Sequence, residues 1–182
     1  MDSQKITTTY ILTGIMVVFL TWVSHEFAHW ITAELMGYES IMRLNSVSQV
    51  EGVKTEGWHK ISITAAGVIW TIIQGFIFFI ILNRGGWNKY LYLFLFTAFF
   101  MRLAAGIMNL VSLNDEGRIS EFLGIGAFTL PIIVSGLLFF MVYKISRKYS
   151  LKAKFQAWTF LIITLASSAL ILIDQFFKIR LL

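Results

Sequence analysis

The sequence predicts an all-α polytopic membrane protein with about five transmembrane helices and a short surface β hairpin or loop after the first helix. Of its 182 residues, 57% are hydrophobic and only 14% are charged, and the mean hydropathy is +0.74. Five apolar runs are each long enough to cross about 30 Å of hydrocarbon as a helix. We therefore expect residues 1–182 to form a single membrane-embedded domain of the multi-pass class, located in a cell membrane.

The net charge and the absence of cysteine limit which partners and which metal ligands the protein can have. The net charge of +5 is typical of an orientation signal, so we expect the lipid bilayer as a partner and no nucleic acid. The sequence contains no cysteine, which excludes a disulfide framework and a thiolate metal site. Any metal must therefore be bound by His, Asp, Glu or Asn. Since the first apolar run lacks a small-residue cleavage site, we expect no cleavable signal.

The first predicted helix runs from about Thr8 to Leu35 and carries the motif Ser24-His25-Glu26-Phe27-Ala28-His29-Trp30. On a helix the i, i+4 spacing places His25 and His29 on one face, where both can bind one metal. Glu26 would lie beside that metal, in the position of a general base. Zinc is the metal that two histidines, a carboxylate and an open fourth position favour.

This H-E-x-x-H pattern is improbable by chance in a chain with three histidines and seven glutamates. Random placement gives roughly 0.002 expected matches. The alternative is a pair of histidines that only hydrogen-bond within a polar helix bundle. Because an unpaired His-Glu-His cluster at membrane depth is expensive, we interpret it as functional.

Residues 38–60 differ in character from the apolar runs around them. Glycines and alternating polar and apolar residues predict a short, irregular β hairpin on the membrane surface, with a solvated loop as the alternative. Gly37 just before this segment suits a helix C-cap. If strands form here, an exposed strand edge could take an extended peptide by strand addition.

The second span is predicted from about Ile61 to Leu82 and the third from about Lys89 to Leu110. Small residues at Ala65-Ala66-Gly67 allow close helix contact in the second span. Arg102 in the third span must face the bundle, a water cavity or a carboxylate, unless it extends to an interface.

A second polar cluster, residues 109–119, follows the third span. Asp115 reaches the same side of the membrane as the two histidines, so we predict it as the third metal ligand. Glu116 and Glu121 are chemically competent alternatives, and all three acids could simply mark an interfacial loop.

The fourth span is predicted from about Phe122 to Tyr143, with a kink at Pro131, and the fifth from about Phe155 to Phe177. Between them, residues 144–154 carry five positive charges and no acid. The positive-inside rule therefore places this loop in the cytoplasm. Counting through the spans then puts residues 38–60 and the histidine motif toward the outer face.

The order of these motifs resembles the site-2 protease family of intramembrane zinc metalloproteases. The matching features are His25-Glu26-x-x-His29, Ala66-Gly67 in the second span, and Asn109 with Asp115 to Ile119 after the third. The resemblance covers residues 8–122, a metalloprotease-like three-helix core, and leaves two additional transmembrane helices in residues 123–182. Val68 and Ser112 stand where the family usually has proline.

This resemblance implies a zinc metalloendopeptidase that hydrolyses peptide bonds in or near transmembrane segments of membrane protein or peptide substrates. His25, His29 and Asp115 would bind Zn²⁺, Glu26 would be the catalytic base, and Asn109 would contact the substrate or the oxyanion. The alternatives are a non-proteolytic zinc-binding membrane protein and a transporter. The presence of Glu26 favours an enzyme, and the chain lacks the internal repeat that many transporters use. The oligomeric state stays open.

Overall fold

The computed structural model describes residues 4–50, 52, 55 and 57–182. Within these ranges the chain forms six helices and one two-stranded sheet. The helices are α1 (Thr8–Leu35), α2 (Gly57–Arg84), α3 (Lys89–Met108), α4 (Asp115–Phe122), α5 (Thr129–Lys148) and α6 (Ala153–Phe177), and the strands are β1 (Ser40–Met42) and β2 (Val47–Gln49). All helices except α4 are long and apolar enough to cross a membrane. The five predicted membrane-length helices are confirmed, and they indicate a multi-pass membrane protein.

Helix α1 has the bounds that the sequence predicts, because local signals fix both of its ends. The Thr7 side chain accepts a hydrogen bond from the Tyr10 amide, which satisfies one donor of the first turn. The helix ends at Leu35, and Gly37 follows with a φ of +82°, the left-handed conformation that favours glycine after a helix. With 28 residues, α1 is about 42 Å long, longer than the hydrocarbon layer.

The segment after α1 contains the β hairpin rather than a plain loop. Strands β1 and β2 are antiparallel, with Met42 opposite Val47. The hairpin is fixed to α1 by two tryptophan indoles: Trp22 donates to Asn45 Oδ1 at 2.8 Å, and Trp30 donates to the Ser40 carbonyl at 3.3 Å. Because these tryptophans flank the H-E-x-x-H motif, the hairpin lies along the part of α1 that carries the motif.

The helices pack so that α1 contacts α2, α3 and α6, while α5 contacts α2, α3 and α4. Their shared core is apolar and aromatic, and its fully buried members include Tyr10, Val17, Leu93, Leu138 and Ile163. The second, third and fifth spans differ from their predicted bounds by at most four residues at either end. The end of α1, the start of α2 and the end of α3 therefore meet on one side of the bundle.

The predicted fourth span is wrong at both ends. The apolar run that begins at Phe122 is divided, since α4 ends there and α5 starts only at Thr129. Gly124 and Gly126 separate the two helices with φ values of +68° and +86°, which no right-handed helix can contain. Helix α5 continues to Lys148, so the first half of the predicted basic loop is helical.

The expected kink at Pro131 is also wrong. Pro131 is the third residue of α5, within the first turn. The amide groups of a first turn have no intrahelical acceptor, so a proline there removes no hydrogen bond. The helix therefore starts at this proline-containing turn and is not broken by it.

Candidate metal centre

Three ligand atoms from two helices converge at one end of the bundle. His25 Nε2 lies 3.1 Å from His29 Nε2, and Asp115 Oδ2 lies 3.3 Å and 3.4 Å from these two nitrogens. Zinc bonds of about 2.0–2.1 Å in a tetrahedral arrangement place neighbouring ligand atoms about 3.3 Å apart. The triangle therefore has the size of one face of a zinc tetrahedron, and its members are the three predicted ligands.

Helix α2 fixes which nitrogen of each imidazole faces this triangle. His29 Nδ1 donates to the Ile63 carbonyl at 2.7 Å, and a carbonyl can only accept. His25 Nδ1 lies 3.0 Å from the Thr71 hydroxyl, which itself donates to the Gly67 carbonyl at 3.0 Å and so accepts from the imidazole. Both histidines thus carry hydrogen on Nδ1 and leave Nε2 free, the usual support for metal-binding imidazoles.

The three converging atoms are close enough to share one proton or one metal ion. Lone pairs of two Nε2 atoms and one carboxylate oxygen repel one another at 3.1–3.4 Å, unless a proton or metal ion lies between them. Only 2% of His25 and 6% of His29 is exposed, so water cannot fully screen this repulsion. Burial alone would raise the pKa of Asp115, but its contacts with the two histidines hold that pKa well below its usual range. Protons on the Nε2 atoms therefore stabilise the charged carboxylate, and a metal ion in their place would do the same.

Gly67 is the point at which α2 crosses the turn of α1 that carries His25 and His29. A Cβ at this position would lie 2.6 Å from His25 Cε1 and would overlap the His29 ring. Close helix contact was predicted for Ala65-Ala66-Gly67. At Gly67 the partners in this contact are the two imidazoles. Only glycine lets α2 approach closely enough for its Ile63 and Thr71 groups to hold both rings.

Glu26 lies in the same helical turn as the two histidines and is 7% exposed. Its carboxylate is close enough to His29 and Asp115 for their charges to interact. Among the residues that the structure describes, none donates a hydrogen bond to it. A buried carboxylate next to the three candidate ligands is in the position that a general base requires.

Arg102 faces a carboxylate inside the protein rather than a membrane interface. Its Nη1 atom lies 3.1 Å from Glu116 Oε1 and 3.9 Å from Asp115 Oδ2. Arg102 and Glu116 are 2% and 1% exposed, so they form a buried ion pair next to the candidate ligand. Of the three acids that the sequence offered as ligands, Glu116 is bound by Arg102 and Glu121 is exposed at the surface. The structure brings only Asp115 to the histidines.

Part of this ion pair was predictable, since an arginine at membrane depth requires a partner. Nothing in the residue pattern distinguished Glu116 from its neighbours as that partner. The two residues are 14 positions apart and lie on different helices, so their pairing depends on how α4 folds back on α3.

Asn109 lies at the end of α3 and connects three chain segments. Its Oδ1 accepts from the Asn114 amide at 3.0 Å, and its Nδ2 donates to the Ala127 carbonyl at 2.8 Å. A Cβ on Gly117 would lie 2.7 Å from Nδ2, so α4 packs directly on this amide. Both polar atoms of the side chain are engaged by backbone, which favours a role in positioning Asp115. The contact with substrate that the resemblance implies stays a prediction.

The chain was compared with protein-family models, with curated proteins and with solved structures, and it matches none of them.

Proposed function

We propose that this protein is a zinc-dependent intramembrane endopeptidase. The observation that carries the proposal is the triangle of His25 Nε2, His29 Nε2 and Asp115 Oδ2 with sides of 3.1–3.4 Å, with the buried Glu26 carboxylate beside it. Two imidazoles and one carboxylate form a three-ligand set that leaves a fourth position of a tetrahedral ion open, as catalytic zinc sites do.

The residues of the chain divide the work of peptide hydrolysis. Zinc, when bound, supplies a Lewis acid that acidifies a water molecule and polarises the carbonyl to be attacked. Glu26 accepts the proton of that water and then donates it to the amine that leaves. The contacts from Ile63 and Thr71 keep both imidazoles oriented during these steps. Arg102 and Asn109 hold the start of α4, from which Asp115 projects.

The position of the site along α1 supports a membrane-embedded substrate. His25 is 17 residues after Thr8, which is about 26 Å along the helix axis. The site therefore lies near one end of the membrane-length segment. A substrate bond at this depth belongs to a transmembrane helix or to the residues just beyond it. Because a helical amide is hydrogen-bonded and shielded, the substrate must unwind locally before its carbonyl can be attacked.

The burial of Glu26, which accepts no hydrogen bond from the described residues, favours an enzyme over a zinc-binding protein without activity. A site that only stores or senses metal needs its three ligands but has no use for a further buried carboxylate beside them, and burying a carboxylate is costly. The cost is explained if the carboxylate transfers protons during a reaction.

The test is cleavage of a transmembrane peptide that contains helix-breaking residues, using purified protein in detergent or liposomes. Glu26→Gln should keep the bound zinc and lose turnover by at least about 100-fold, the usual contribution of a general base. Glu121→Gln, which changes an exposed glutamate on α4, is the matched control and should cleave like the wild type. Cleavage by Glu26→Gln at the wild-type rate would rule out this mechanism, and wild-type protein that binds zinc but cleaves no such peptide would favour the non-proteolytic class.

A further inference from the structure

The outer edge of β1 is filled by other parts of the chain. The amide of Arg43 donates toward β2, to the Ser46 carbonyl, so the backbone groups of residues 40, 42 and 44 face the other way. At the two ends of this edge the partners are side chains: Glu34 Oε1 accepts from the Ser40 amide at 2.9 Å, and Asp174 Oδ1 accepts from the Leu44 amide at 3.2 Å.

In the middle of the edge the partner is backbone. The Met42 amide donates to the Leu182 carbonyl at 3.1 Å, and the Met42 carbonyl accepts from the Leu181 amide at 2.8 Å. Arg43 and Arg180 form an antiparallel bridge. Residues 179–182, here called the edge segment, therefore pair with the outer edge of β1 through one isolated bridge.

A turn after α6 brings the edge segment back to β1. Helix α6 ends at Phe177, and Lys178 has φ and ψ of +46°, a left-handed conformation that is unfavourable for a residue with a Cβ. The side chains of Ile179, Leu181 and Leu182 are 37–44% exposed, so none of them belongs to the buried core. The segment pairs with β1 through the backbone hydrogen bonds at Met42, and such pairing accepts many sequences.

This strand edge lies beside the candidate metal centre. Trp22 and Trp30 fix the hairpin to α1 on either side of the histidine motif. Asp174, which binds the Leu44 amide, is close enough to Glu26 for their charges to interact. An extended chain on the outer edge of β1 would therefore pass the side of α1 that carries the general base.

We propose that the outer edge of β1 binds an extended peptide by strand addition, and that the edge segment occupies this site as an internal competitor. This inference rests on the proposed function only in naming the peptide as substrate. The Leu182 amide also lies 3.4 Å from the Met42 carbonyl, so three backbone hydrogen bonds join Met42 to the edge segment. The edge segment is released when an extended peptide replaces these bonds, and an unwound substrate offers the same backbone groups. The alternative role of the edge segment is a permanent cover that protects β1 from association with other strands. A competitor can be displaced by a peptide, whereas a permanent cover cannot.

The test compares a locked and a released edge segment in the full chain. Arg43→Cys with Arg180→Cys places two thiols at paired antiparallel positions, where the Cα separation of about 4.5–5.5 Å suits a disulfide. The chain has no other cysteine, so oxidation locks the segment and reduction frees it. Leu181→Pro removes the shortest of the three hydrogen bonds at Met42, the one from the Leu181 amide at 2.8 Å, and so weakens the attachment of the segment. Leu181→Ala keeps that amide and is the matched control.

The probe is a fluorescent peptide with the sequence of residues 177–182, and its binding is measured by fluorescence anisotropy with zinc content as a check on the site. We expect Leu181→Pro to bind the peptide at least about 10-fold more tightly than the wild type or Leu181→Ala, because a tethered competitor acts at millimolar effective concentration. The oxidised double-cysteine protein should not bind it, and reduction should restore binding. Equal affinity of all these proteins would overturn the proposal.

A cleavage assay separates this proposal from the proposed function. If peptide binding follows the expected order but no peptide is cleaved, only the proposed function fails. If the protein cleaves substrate equally well with the segment locked and free, the edge proposal fails and the protease assignment stands.

Discussion

Gly67→Ala should weaken metal binding while leaving the helices intact. The added Cβ would lie 2.6 Å from His25 Cε1, whereas two carbon atoms need about 3.5 Å. Either α2 or the imidazoles must therefore move by about 0.9 Å. A movement of α2 also displaces the Ile63 carbonyl and the Thr71 hydroxyl, which orient the two rings. Loss of such supporting contacts typically lowers metal affinity about 10- to 100-fold, and we expect a decrease in this range.

The assay is zinc affinity of the purified protein, measured by competition with a chelator of known affinity, together with far-UV circular dichroism. Gly75→Ala is the matched control, because Gly75 lies on the same helix as Gly67 but about two turns away from the site. Its added Cβ would come 2.5 Å from the Leu138 side chain of α5. This control should lose stability and keep its zinc affinity. Equal zinc affinity of Gly67→Ala and wild type would refute the reasoning that Gly67 sets the geometry of the ligands.

Three further predictions concern the acids, the arginine and the orientation. Asp115→Ala should reduce bound zinc in metal analysis, while Glu116→Ala should keep the ligand set; the reverse result would make Glu116 the ligand. Arg102→Met leaves a buried glutamate without its partner and should cost about 3–5 kcal/mol of stability, and adding Glu116→Leu should recover most of this in thermal denaturation. With an impermeant thiol reagent on intact cells, Ser48→Cys should be labelled and Ser150→Cys protected, because the basic residues near position 150 place that end in the cytoplasm; the opposite pattern would invert the orientation.

Local signals made α1 and its motif predictable from the sequence. A capping threonine, a long apolar run and a glycine after the last turn specify both ends of the helix. The i, i+4 spacing of His25 and His29 then places them on one face whatever the rest of the chain does. The hairpin, too, was indicated by alternation within a short segment.

Features that depend on tertiary contacts were not predictable in this way. The break between α4 and α5 comes from Gly124 and Gly126 in left-handed conformations, and the apolar residues around them resemble the start of a span. The choice of Asp115 over Glu116 is made by the position of Arg102 on a different helix. The edge segment gave no sequence signal, because its pairing with Met42 uses backbone groups that every residue has.

The three histidines of the chain allow a direct test of the central claim, that His25 and His29 bind zinc. His59 is the built-in control, since its ring accepts or donates only to the Tyr38 hydroxyl among the described residues and lies outside the ligand triangle. The measurement is zinc per chain by mass spectrometry in wild type, His25→Ala and His59→Ala. We predict about one zinc for the wild type and for His59→Ala, and close to none for His25→Ala. A full equivalent of zinc in His25→Ala, or its loss in His59→Ala alone, would contradict the account.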